Sequence, residues 1–168
     1  MKRRNVINTA IVLFVSSVAL GGGARPNFSG TWVMDPSRSI GIPPDMQQTI
    51  TVTQTGDQVK VEIKIASSQG ERSFPDIYTL DGKEVEFTPQ GMAGPAPGKG
   101  KRKSSWLPND RGILVSEETT TDSPNGPVVN QQSRKWTMSA DGSTLIADYY
   151  FDGPRGSFET KRVYVKKN

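Results

Sequence analysis

The chain has 168 residues, 21 basic and 17 acidic side chains, and neither cysteine nor histidine. That length suits one domain. The missing residue types exclude disulfides, Ser-His-Asp or Cys-His catalysis and histidine-ligated metals. Enzymatic chemistry is left to carboxylates, Lys, Tyr or Ser acting without imidazole, so a non-enzymatic role is expected, with no cofactor and no metal.

Lys2, Arg3 and Arg4 precede a mostly apolar run from Val6 to Leu20, and Gly21, Gly22, Gly23 and Ala24 follow it. A basic start, a short apolar stretch and small residues before Arg25 form the pattern of a secretory signal peptide. The run of 15 residues is shorter than the roughly 20 that a spanning helix needs. Residues 1–24 are therefore expected to be a leader, and residues 25–168 a secreted or periplasmic domain that does not span a membrane once cleaved. Without the leader the charge falls to 18 basic against 17 acidic residues, net +1. The basic balance is thus largely a targeting feature and does not argue for nucleic acid.

After the leader the hydrophobic period is two, with turn signals at short intervals, which predicts an all-β fold. The first strand covers Ser29 to Met34 and stops at Asp35-Pro36, because proline cannot donate to a ladder. The connector from Ser37 to Met46 is rich in Pro, Gly and Ser and suits a wrap across one barrel end. Gln48 to Thr55 and Val59 to Ala66 form a hairpin around Gly56-Asp57. In the second of these, Val59, Val61, Ile63 and Ile65 alternate with Lys60, Glu62 and Lys64, the mark of one buried and one wet face. Arg72 to Leu80 follows, with Pro75 suggesting an edge or bulge. Asp81-Gly82 is a hairpin signal leading into Lys83 to Thr88, where Val85 and Phe87 share a phase. Pro89 to Gly100 reads as a long Gly/Pro loop. Lys101 to Leu107, Ile113 to Thr121, Val128 to Met138, Leu145 to Phe151 and Phe158 to Val165 complete the chain. An up-and-down meander of about 8–10 strands is most simply buried by closing into a barrel, which leaves no free edge. A two-sheet sandwich is the alternative.

Asn27-Phe28-Ser29-Gly30-Thr31-Trp32 opens this meander, and Phe28-x-Gly30-x-Trp32 resembles the calycin pattern of lipocalins, fatty-acid-binding proteins and avidins. With Arg134-x-Trp136-x-x-Ser139-x-Asp141-Gly142 and the terminal Val163-Tyr164, the chain resembles small secreted bacterial proteins described as lipocalin-like. The resemblance implies a lipocalin-like barrel in which Trp32, preceded by Gly30, packs across the closed end. It also implies an arginine of the last strand lying against Trp32, and Arg162 is the candidate. The chain departs from those families in showing no C-terminal helix and no helical lid.

Tyr78, Phe87, Trp106, Trp136, Tyr149 and Phe151 fall on inward phases. They read either as the lining of a cavity for an apolar or amphipathic ligand or as a filled core. Lys99, Lys101, Arg102 and Lys103 form a basic cluster that reads as a solvated segment. Glu84, Glu86, Glu117 and Glu118 read as wet strand faces. The leading expectation is an exported barrel that binds a small hydrophobic or amphipathic ligand. One alternative is a solid-cored envelope protein that contacts a partner through residues 89–103. A weaker one is a carboxylate hydrolase, which requires two inward carboxylates in one cleft.

Overall fold

A computed structural model describes residues 24–167, apart from 69, 92, 93, 96, 97 and 109, and of 90, 91, 94 and 95 it describes only the backbone. The expected leader, residues 1–24, therefore lies outside the described residues except for Ala24. The strands are β1 (Gly30–Met34), β2 (Gln47–Thr55), β3 (Gln58–Ser67), β4 (Gly70–Thr79), β5 (Asp81–Phe87), β6 (Gln90–Gly91), β7 (Gly94–Pro95), β8 (Lys99–Trp106), β9 (Gly112–Thr121), β10 (Val128–Met138), β11 (Thr144–Gly153) and β12 (Gly156–Lys166). Ten of them form one antiparallel sheet in the order β4-β3-β2-β1-β12-β11-β10-β9-β8-β5, while β6 and β7 pair only with each other. This is the expected up-and-down meander curled into a barrel. No helix among the described residues is long and apolar enough to cross a membrane.

The register follows the binary pattern. On β3, Val59 and Val61 are buried, Ile63 and Ile65 half-buried, and Lys60, Glu62 and Lys64 exposed. Burial therefore fades along β3 from a packed end to an open end. The packed end is filled by Phe28, Trp32, Tyr78 and Trp136, all essentially inaccessible to solvent. Phe28 and Tyr78 both meet Trp136 edge-on, with ring centroids 6.2 and 6.1 Å away, a favoured aromatic geometry. At the other end the connector after β1 forms one 3-10 turn, η1 (Pro36–Arg38). It then bridges to β12 through Ile40 and Lys161 and packs Ile42 and Met46 against the core, as the expected wrap requires.

Two local readings are corrected. Asp81-Gly82 does not turn a hairpin: β4 and β5 are joined by Leu80 alone, yet they lie at opposite ends of the sheet order. Leu80 is buried and its N–H donates to the Asp57 carbonyl at 2.7 Å, which anchors the corner. From there β5 diverges to pair with β8, with a register shift between Asp81 and Glu84. Val85 consequently stays exposed while Phe87 is half-buried. The 89–100 stretch is likewise not all loop, because β6 and β7 form a short ladder and β8 already begins at Lys99.

The meander thus leaves a seam, contrary to the expectation of no free edge. The β4 side of it is blunted by sequence. Pro75 offers no N–H. Ile77 donates its N–H to the Asp76 carboxylate at 3.0 Å, and its carbonyl accepts from Arg102 at 3.1 Å. Arg102, on β8, also grips Asp76 with both terminal nitrogens at 2.6 and 3.0 Å. A side chain does here what a backbone ladder does elsewhere in the barrel.

The β10–β11 turn is held by one carboxylate. Asp141 accepts from Ser139 Oγ at 2.5 Å, Ser143 N at 3.1 Å and Ser143 Oγ at 2.8 Å. The Ser139 bond, followed by those from Ser143, brings its carboxyl down to about 2 from an ordinary 3.8. A depressed folded-state value stabilises the fold above the ordinary value, and that contribution is lost as pH falls toward about 2. An NMR titration of the Asp141 carboxyl should show a midpoint near that lower value, and Ser139→Ala should move it upward.

Candidate functional site

Along several strands the inward residues change character in the same direction. On β2, Val52 and Ile50 give way to Gln48; on β4, Tyr78 to Asp76; on β9, Val115 to Glu117; on β10, Trp136 to Arg134. Stacked around the barrel, these switches place a layer of polar side chains on the aromatic floor. Such groups persist in an interior only when paired or hydrogen-bonded.

Most of the layer is a charge-compensated quartet. The Arg102 guanidinium donates from Nε to Glu117 at 2.6 Å while holding Asp76 bidentately. Arg134 Nη2 contacts the same Glu117 oxygen, and its Nη1 donates to the Tyr78 hydroxyl at 2.9 Å. Arg102 is sandwiched between the rings of Phe87 and Tyr78, at 4.3 and 5.1 Å. Gly100 makes this possible, because a Cβ there would meet the Phe87 ring at 2.4 Å. Burial pushes the Tyr78 phenol far up, so it remains protonated. Burial alone would pull Arg134 down, but Tyr78 and Glu117 hold it above its ordinary value.

The rest of the layer is not compensated. Arg162 has no carboxylate within ion-pair distance among the described residues. It lies over the Tyr149 ring at 4.4 Å and donates to Gln48 Oε1 at 2.9 Å, an oxygen that also accepts from the Tyr164 hydroxyl at 2.9 Å. Burial, and then Tyr149 beside it, keep the Tyr164 phenol well above its ordinary value. Gln48 Nε2, Arg134 Nε and Arg162 Nε are buried without a hydrogen-bond partner among the described residues, and the Tyr149 hydroxyl is buried beside Tyr164.

Gln48, Arg134, Tyr149 and Arg162 line one cavity of about 310 Å³. Its polar wall comprises them together with Asp76, Arg102, Glu117 and Gln132, and its apolar wall Ile63, Ile65, Phe74, Pro75 and Phe87. It sits above the aromatic floor and beside the β4–β5 seam. Among the described residues no cluster of acidic residues could hold a metal ion.

The six aromatics expected to line a cavity are divided. Phe87 and Tyr149 do line it. Tyr78 and Trp136 do not line it but are buried in the packed layer adjoining it. Trp106 lies at the packed end, stacked on Phe28 at 6.4 Å and donating to Asp57 at 2.8 Å, with Arg25 over its ring. Phe151 stacks on the exposed Phe158 at 4.9 Å, toward the open end. The aromatics are thus split between a packed layer and the wall of a hollow.

Trp32 is buried at the packed end, its indole donating to the Phe28 carbonyl at 2.9 Å. Its expected partner is corrected: the cation over its ring is Lys166, at 5.3 Å, not Arg162. Gly30 admits that lysine, since a Cβ there would meet Lys166 Cε at 2.8 Å, and its φ of 141° suits glycine. Arg162 is two pleats nearer the open end. Arg102 does not belong to a solvated basic segment, nor Glu117 to a wet face, because both side chains are buried. The two inward carboxylates that a hydrolase requires are present in Asp76 and Glu117, but both are engaged by guanidinium groups as structural counter-ions. Side chains at positions 90–97 of the proposed contact segment lie outside those described.

No protein-family model matches the chain, and no curated protein matches it by sequence. Solved structures do show a likeness. Zebrafish ileal bile acid-binding protein, solved with cholic acid, is 17% identical with a TM-score of 0.47, over 83% of this chain and 98% of that one. A fatty-acid-binding protein from Manduca sexta is 13% identical with a TM-score of 0.44, over 83% and 99%. Secretory abundant heat soluble protein 4 from Ramazzottius varieornatus is 13% identical with a TM-score of 0.45, over 84% and 95%.

Proposed function

We propose that this barrel binds a small amphipathic molecule with an anionic head group. The observation that carries the reading is Arg162, a guanidinium without a carboxylate partner among the described residues, in the wall of a cavity whose neighbouring Gln48 and Arg134 hold donors without a partner among those residues. Buried donors without acceptors, here beside a half-buried cation, are costly unless an acceptor meets them, and a ligand oxyanion supplies both charge and lone pairs. The apolar side, Ile63, Ile65, Phe74 and Phe87, suits an alkyl or ring system. A volume of about 310 Å³ lies at the lower end of small-molecule sites, so the ligand is compact. Export rests on residues 1–24 alone and is part of the same proposal.

Trp136 is buried in the packed layer, two residues along β10 from Arg134 of the cavity wall, and provides an intrinsic fluorescence reporter. Titration with decanoate, decanol and decyltrimethylammonium should give saturable quenching or shift for decanoate, weaker binding for decanol and none for the cation. Arg162→Met should weaken decanoate by about tenfold or more, the usual cost of removing a charged hydrogen-bonding partner, and leave decanol nearly unchanged. Equal binding of all three amphiphiles, or none, would sink the reading.

A further inference from the structure

We propose that Glu117 and Asp76 set the charge that this cavity accepts, making it selective for a head group carrying a single negative charge over a dianion. The inference rests on the anion-binding reading above. Three guanidinium groups, Arg102, Arg134 and Arg162, face the cavity, and two carboxylates, Asp76 and Glu117, face them. One positive charge is left, at Arg162.

The two carboxylates fill the places a more highly charged ligand would need. Glu117 Oε1 accepts from Arg102 Nε at 2.6 Å and contacts Arg134, so the other two guanidinium groups of the cavity are already compensated from within. Asp76 occupies both terminal nitrogens of Arg102. A carboxylate or sulfate ester at Arg162 brings the cavity to neutrality. A phosphate monoester, about −2 above its second ionisation, leaves an uncompensated negative charge in a cavity that Glu117 and Asp76 also line, where like charges repel. Built-in repulsion is a recognised route to specificity.

Decyl sulfate and decyl phosphate, with tetrahedral heads of similar size, isolate this effect at pH 8. The native protein should bind the sulfate about tenfold more tightly than the phosphate. Glu117→Gln and Asp76→Asn each add one positive charge by different routes. Each should move the sulfate-to-phosphate affinity ratio about tenfold toward the phosphate. A purely structural role lowers both affinities together and leaves the ratio alone. Asp76→Asn keeps the test open if Glu117→Gln does not fold, because Glu117 still pairs Arg102 and Arg134 in it. An unchanged ratio in a folded variant overturns the charge-setting role while leaving anion binding standing. Failure of the native protein to bind decyl sulfate overturns both.

Discussion

Arg102→Ala is expected to destabilise the protein by about 3–5 kcal/mol, the range for breaking a buried ion pair from one side. The guanidinium is buried, and its removal leaves Asp76 only the more distant Arg134 at 4.0 Å, leaves Glu117 to Arg134 alone, and frees the Ile77 carbonyl at the β4–β5 seam. It also removes the cation between Phe87 and Tyr78. Urea unfolding measures the loss. Hydrogen exchange locates it: Ile77, whose N–H is satisfied by Asp76 rather than by a neighbouring strand, should lose protection more than the amides β4 shares with β3. Adding Asp76→Asn to Arg102→Met should recover part of the loss relative to Arg102→Met alone, because the poorly compensated charge is gone. A single variant within about 1 kcal/mol of the native protein, a value typical of exposed pairs, would mean that the seam is closed by something else.

This result bears on why the barrel was legible before its seam and site were. Alternation on β3, β9, β10 and β11 is strong, and each pairs with its sequence neighbours, so period and turn chemistry suffice to order them. The seam depends on Leu80, a buried corner that overrides the Asp-Gly signal beside it. Local turn propensity is worth less than tertiary burial of a large side chain. The site was hidden for a related reason. In a strand, Arg102 and Glu117 read as exposed because most charged residues are. Here they face inward, opposite each other in the β8–β9 register, and each makes the other's burial tolerable. The signal was present as an in-phase series: Arg102 shares its face with Ser104 and Trp106, Glu117 with Val115 and Ile113, Arg134 with Trp136. A charged residue in phase with inward apolar residues on three adjacent strands points inward, yet composition alone gives no reason to prefer that over a strand that ends early.

Arg162 illustrates the same limit at the scale of one side chain. Its inward phase with Tyr164 was visible, but phase does not report depth. Only the register of β12 against β1, which sets Trp32 opposite Lys166 and Met34 opposite Tyr164, shows that Lys166 reaches the tryptophan. That register moves Arg162 from the closed end to the polar layer, where it lies over Tyr149 and donates to Gln48.

Trp32→Ala is expected to cost about 3–5 kcal/mol, as for other large buried aromatics, without changing the affinity of the folded molecules for decanoate. The indole is fully buried, and its Nε1–H meets the Phe28 carbonyl where the chain enters the barrel. Truncation opens a void at the packed end, leaves that carbonyl unpaired and removes the ring beneath Lys166. Trp32→Phe separates these effects. It keeps most of the buried area and loses the hydrogen bond, for which about 1 kcal/mol is expected. The residue belongs to neither wall of the cavity, so binding should fall only in proportion to the fraction unfolded. Measuring affinity well below the unfolding midpoint makes the distinction. Native stability in Trp32→Ala would mean that this end is not packed. Loss of decanoate binding from a folded variant would mean that floor and cavity are mechanically coupled. The expected pairing, large destabilisation with intact affinity, assigns Trp32 to the scaffold and leaves recognition to Arg162 and its neighbours.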